Sequence, residues 1–261
     1  MSTSTSAPAL PPEPPVPAPL TMDEIKHFRS SLSPAIRCST ETWLVVLTSA
    51  IVSLGCGAES IIDLYHLALS SSSDLASSQR KQSLIQETLV KGSVIFGIPP
   101  ALDTIFPLLE HIRSTNPTFL LTSDHFSRQS LLSEPISSLK TPAMKSLERV
   151  YRHNLSPILD SKMSDNMQDL KFLTIQINYG FTLSCDAVIN WKLTELLVLA
   201  ALVGRNCRAE VLWHMRGALR AGWSRDDVDS VRSTVKELAR RLAVRTDKVP
   251  TLDEVKEDSN D

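Results

Sequence analysis

Apolar residues return at three-to-four spacing over 61–69 and 228–242, the period of helices that bury one face. Two further runs, 45–54 and 196–203, are apolar on every side and are expected at the centre of a helical core. Neither reaches the roughly 20 apolar residues that a membrane-spanning helix needs. Glycine is scarce and period-two alternation of β-branched residues is hard to find, so the chain reads as all-α. Helix ends are signposted too. Gly222 can close one helix and Ser224 can cap the next, with Asp226 and Asp227 in a first turn that favours negative charge. A helical hairpin turning at 222–224 is the expectation.

The pattern occurs twice. Placing Cys56 on Cys207 puts Glu59 on Glu210 and superposes the apolar helices that precede them. Asp63 then occupies the position of His214 and Leu44 that of Glu195, so the first copy keeps the scaffold and loses the chemistry. Residues 114–139 are rich in Ser, Thr and Pro and form the natural connector. Seven prolines among the first 20 residues leave too little apolar surface to offset the cost of ordering. The expected organisation is a Pro-rich arm over 1–20, a degenerate unit over 21–113, a linker over 114–139, a second unit over 140–243 and an acidic, fraying tail over 244–261.

Composition narrows the function classes. Hydrophobic content of 42% in 261 residues can bury a real core. The 27 basic and 29 acidic residues leave a net charge of −2, which gives no electrostatic reason to expect nucleic acid or an anionic membrane as partner. Cys38, Cys56, Cys185 and Cys207 form no Cys-x-x-Cys and read as free thiols in a reducing compartment. The arm lacks the Arg of a mitochondrial presequence, so the expected location is cytoplasmic, with a mitochondrial one left open.

The chemistry concentrates near the C-terminal end. On one helix Cys207, Glu210 and His214 stand at i, i+3 and i+7, so a thiol, a carboxylate and an imidazole are expected on one side. An imidazole titrates near neutrality, and a neighbouring carboxylate can hold one tautomer, so such a cluster can move protons. Simpler readings stand beside this one. Cys207 suits a small buried hydrophobe, Glu210 and His214 a structural i,i+4 pair, and Glu195 the start of its apolar helix. Trp213 and Trp223 suit core or interface positions, and His66 a structural role. Glu59, Asp63 and His66 lack zinc-site spacing, so no metal and no cofactor is expected.

Residues 194–202, Glu210-x-x-x-His214 and Ala218 through Asp227 together resemble the carboxymuconolactone decarboxylase family, which shares its fold with the alkylhydroperoxidase D-like (AhpD-like) proteins. In the first half, Lys91-Gly92 and 96–102 resemble the later helix of that family with its Gly-x-Pro break. The resemblance implies an AhpD-like helical bundle, here as a tandem repeat, and two alternative chemistries. Peroxidase members carry a Glu, a Cys-x-x-Cys and a His; Glu195, Cys207 and His214 match three of those positions, but the second cysteine is Glu210. A dithiol cycle needs a second sulfur within reach. Decarboxylase-like members use a Glu and a His of the spacing seen in Glu210 and His214. That reading makes His214 the general acid or base, oriented by Glu210 or Glu195, with Arg208 or Arg216 pairing with a substrate carboxylate. The implied substrate is a small oxygenated organic acid, lactone or ketone, and the family implies a homo-oligomer. A thiol peroxidase and a non-catalytic helical scaffold are the alternatives.

Overall fold

The computed structural model describes residues 17–71, 74–121, 126–163 and 167–255. Among them all regular structure is helical. In chain order the α-helices are α1 (Met22–Ser31), α2 (Pro34–Arg37), α3 (Thr40–Ser53), α4 (Ala58–Leu69), α5 (Leu75–Phe96) and α6 (Ile98–Thr115). After a stretch of short 3₁₀ turns come α7 (Lys140–Tyr151), α8 (Gln168–Phe172), α9 (Trp191–Gly204), α10 (Arg208–Arg220) and α11 (Arg225–Arg241). Between α8 and α9 the chain winds as a π-helix over Leu173–Leu183.

The two runs that are apolar all round become α3 and α9, which pack against each other at the centre. Every residue from Thr42 to Ser53 and from Leu193 to Gly204 is buried. A helix with no polar face is stable only when its neighbours cover it on all sides. Here α5, α10 and α11 pack on α9, and α4 and α5 on α3. At the crossing the backbones come close: a β-carbon on Gly204 would stand 2.1 Å from Ser53 Oγ, and Ser49 Oγ donates to Leu197 O at 2.7 Å.

The central helices begin and end alike. Ser39 accepts the Thr42 N–H and Asn190 the Leu193 N–H. At the other end Gly55 and Asn206 both take positive φ, 73° and 57°. The N–H groups of Leu54, Gly55 and Cys56 donate to Ala50, Val52 and Ile51; those of Arg205, Asn206 and Cys207 donate to Ala201, Val203 and Leu202. A β-carbon is tolerated in that conformation in Asn more readily than in most residues. The Gly222 turn forms as the sequence suggests, with φ 87° at Gly222 and a reciprocal capping box between Ser224 and Asp227.

Two expected boundaries shift, and the linker proves to be packed. The arm ends earlier than residue 20, because Leu20 is buried and donates its N–H to Ser60 Oγ at 2.9 Å; residues 1–16 lie outside the described part. The tail packs as far as Val255. Val249, Leu252 and Val255 recur at three-residue spacing and are buried, an apolar stripe within an acidic stretch; 256–261 lie outside the described residues. The linker is anchored as well as connecting. Arg128 is buried, donates twice to the Glu87 carboxylate on α5 at 2.9 and 2.7 Å, and also donates to Phe181 O and Thr182 O.

No helix among the described residues is long and apolar enough to cross a membrane.

Candidate functional site

Helix α9 carries one carboxylate, Glu195, a turn inside an otherwise apolar surface. An ionised carboxylate without a partner there would cost several kcal/mol. The partner comes from α10, where His214 Nδ1 lies 3.0 Å from Glu195 Oε2 with both side chains about nineteen-twentieths buried. Gly217, one turn beyond His214, makes the room. A β-carbon on Gly217 would stand 2.3 Å from the same oxygen.

With neutral imidazole, Nδ1–H donates to the carboxylate and leaves Nε2 as a lone pair. No hydrogen bond to Nε2 occurs among the described residues. In that tautomer Nε2 is the ring atom that can accept a proton.

Two tyrosines complete the cluster. Tyr151 ends α7, and its ring stands edge-on to His214 at 6.1 Å between centroids and to Trp213 at 5.3 Å. Its hydroxyl is 3.1 Å from that of Tyr179, which the π-helical segment delivers from the far side. A π-turn places side chains where an α-helix would not, and such turns gather at functional sites. Burial pushes the Tyr151 hydroxyl up to about 12, with Glu195 and Glu210 adding to the rise against the lowering effect of Tyr179. Burial holds Tyr179 well above the usual phenol range. Both phenols keep their protons at neutral pH. Directly after Tyr151, Arg152 takes φ 44° and ψ −125°, a strained backbone that ends α7 abruptly.

The other sequence candidates fall around this pair. Glu210 is exposed in the first turn of α10 and forms no ion pair with His214 among the described residues, so Glu195 takes the partnership that spacing alone suggests for Glu210. Cys207 is the N-cap residue of α10, half-buried, its thiol donating to Arg205 O at 3.6 Å. Burial and then Glu210 push that thiol up, against Arg205 and Lys248. It is therefore a poorer nucleophile than a free cysteine. All four cysteines are unbridged. Arg208 is ion-paired with Glu254 beside the C-terminal turn, and Arg216 is half-buried and partnered. His66 bonds His111 through their Nε2 atoms at 2.8 Å. Among the described residues no group of three or more His, Cys, Asp and Glu side chains could hold a metal ion.

Sequence reasoning missed Tyr151 and Tyr179. Scarcity was the available signal, since the chain has three tyrosines and two of them meet here.

No family model and no solved structure matches this chain. Among curated proteins it is similar to Peroxisomal protein 2 of Schizosaccharomyces pombe, 26% identical over 161 residues that cover 62% of this chain and 71% of that protein.

Proposed function

We propose that this chain is a carboxymuconolactone decarboxylase-like enzyme, a tandem of two AhpD-like helical units with one working site in the second. It moves a proton next to a carbonyl in a small organic acid, lactone or ketone, by decarboxylation or isomerisation. The observation that carries this reading is the buried Glu195–His214 pair, with Nδ1 beside the carboxylate and Nε2 making no hydrogen bond among the described residues. His214 is the general acid or base and Glu195 orients it. Glu210, exposed and near enough to raise the Tyr151 hydroxyl, exchanges protons with solvent. The tandem reading draws support from the matching caps, closing turns and central crossing of α3 and α9.

The thiol-peroxidase alternative is weaker because Cys207 is held as a thiol and lacks a Cys-x-x-Cys partner. A scaffold role is the second reading, and the near-complete burial of Glu195 and His214 favours it. Incubating the purified protein with lactones, β-keto acids and a peroxide, while following carbon dioxide release, double-bond migration and peroxide loss, tests all three. Turnover of a carbonyl substrate supports the enzyme. Inactivity toward both classes returns the cluster to a structural role.

The relative's name supports a peroxisomal location in place of the cytoplasmic one read from composition. Self-association is proposed through α5 and α6, where Val90, Ile98, Leu102 and Phe106 are exposed. Colocalisation of a fluorescent fusion with a peroxisomal marker, and sedimentation of the purified chain, test these two points.

A further inference from the structure

Where α1 and α2 end, a cavity of about 360 Å³ is lined by Lys26, Arg29, Ser30, Arg37 and Cys38. Three of these side chains are cations, and among the described residues no carboxylate lines it. Lys26 is paired with Asp23 at 3.1 Å, but neither Arg29 nor Arg37 makes an ion pair among the described residues. Acids on the adjoining elements are spent elsewhere: Glu24 on Arg241, Glu237 on His27 and Glu41 on Arg80. Both guanidiniums are nevertheless fixed. Arg29 donates through Nε and Nη2 to Arg37 O, and its Cζ lies 4.8 Å from the centre of the Trp43 ring. Arg37 Nη1 donates to Ser30 O at 3.2 Å and to Leu32 O at 3.4 Å. Arg29 Nη1 and Arg37 Nη2 are left without an acceptor among the described residues. Bonds to the carbonyls that end α1 and α2 explain where the arginines sit. They leave two like charges around one cavity with no anion between them, an arrangement that repels.

We propose that this cavity binds the phosphate group of a small, hydrophilic phosphomonoester, held between Arg29 and Arg37 with Lys26 beside it. Such a group brings about −1.5 to −2 charge at neutral pH and three acceptor oxygens. That matches two uncompensated guanidiniums reaching in from separate helices. A carboxylate, planar and singly charged, is satisfied by one guanidinium fork and leaves the other unmatched. The volume leaves room beyond the phosphate for its carrier. Among the described residues the walls offer the Ser30 hydroxyl and the arginine stems but no aromatic or branched aliphatic side chain, so the carrier is a polyol or sugar and not a hydrocarbon. The site is independent of the chemistry at His214.

The probe is glycerol 3-phosphate, titrated calorimetrically into the full chain beside glycerate, which carries a carboxylate on a similar frame. Wild type is expected to bind the phosphate ester and to bind glycerate roughly 10-fold more weakly or less. Arg29→Gln and Arg37→Gln should each weaken binding by roughly 10- to 100-fold, as charge-assisted hydrogen bonds are lost. Arg37→Lys keeps the charge and loses the fork, and should weaken it nearly as much. Lys26→Glu changes an exposed side chain that the fold does not need, and should also weaken binding. A readout without substitution is alkylation of the exposed Cys38 by uncharged iodoacetamide, followed by mass spectrometry. Glycerol 3-phosphate is expected to slow it at Cys38 and not at Cys56, Cys185 or Cys207. Failure of wild type to bind, equal binding of glycerate, unchanged binding in Arg37→Gln and Lys26→Glu, or an unprotected Cys38 would overturn the site. Phosphatidylcholine vesicles containing phosphatidic acid present the same group on a lipid. Sedimentation with those vesicles, without binding of glycerol 3-phosphate, would overturn the soluble carrier.

Discussion

Gly217 and Glu195 are so close that a single added carbon at position 217 would meet the carboxylate at 2.3 Å, inside any real contact distance. Alanine in the body of a helix ordinarily gains about 1 kcal/mol over glycine. Gly217→Ala is expected to reverse that sign and cost roughly 1–2 kcal/mol, because the Glu195 carboxylate must give up its place beside His214. In a Glu195→Ala background the clash is gone and the same substitution should stabilise. Urea unfolding of the four proteins gives the answer; equal effects in both backgrounds would show that the carboxylate does not fill the space.

The Glu87–Arg128 pair is buried on both sides, and Arg128 donates to both Glu87 oxygens and to Phe181 O and Thr182 O. Arg128→Met strands the Glu87 charge and is expected to cost roughly 3–5 kcal/mol. The double variant Glu87→Met/Arg128→Met should recover part of the loss. Additive costs in a double-mutant cycle would contradict the pairing.

Lys91 is fully buried, its ammonium donating to Leu183 O, Ile189 O and Thr194 Oγ1. Burial pulls it down from 10.5 to about 8, with Glu87, Asp186 and Cys185 opposing. Between about 8 and 10.5 the unfolded chain therefore binds more protons at this residue than the folded one, and stability rises with pH across that window. The penalty is fully present below pH 8. Relative to Lys91→Met, wild type should gain up to about 3 kcal/mol on going from pH 8 to 10.5. Parallel pH profiles of unfolding for the two proteins would refute this.

The helical core was legible because 45–54 and 196–203 have no polar face, and such runs can only be central. The 222–224 hairpin was legible from its glycine and its capping residues. The site was half legible. His214 stood out in a helix-face cluster with Cys207 and Glu210, but spacing left Glu210 and Glu195 as alternative partners for it. The helix turns His214 inward to α9 and leaves Glu210, in the first turn after Cys207, facing water. Tyr151 and Tyr179 reach the cluster from segments 28 residues apart in sequence and through a π-turn, which no local spacing encodes. The tail was misread because acidic composition outweighed the three apolar residues that pin it.

Turnover of a lactone or β-keto acid by His214→Gln and Cys207→Ser, measured beside wild type, separates proton transfer from thiol chemistry most directly. Gln can still bond Glu195 but cannot exchange a proton near neutrality. His214→Gln is expected to lose roughly 100-fold or more in turnover while remaining folded, and Cys207→Ser to stay close to wild type. The opposite order, with Cys207→Ser inactive toward lactone and peroxide alike and His214→Gln merely slowed, would contradict proton transfer at His214 and place the chemistry on sulfur.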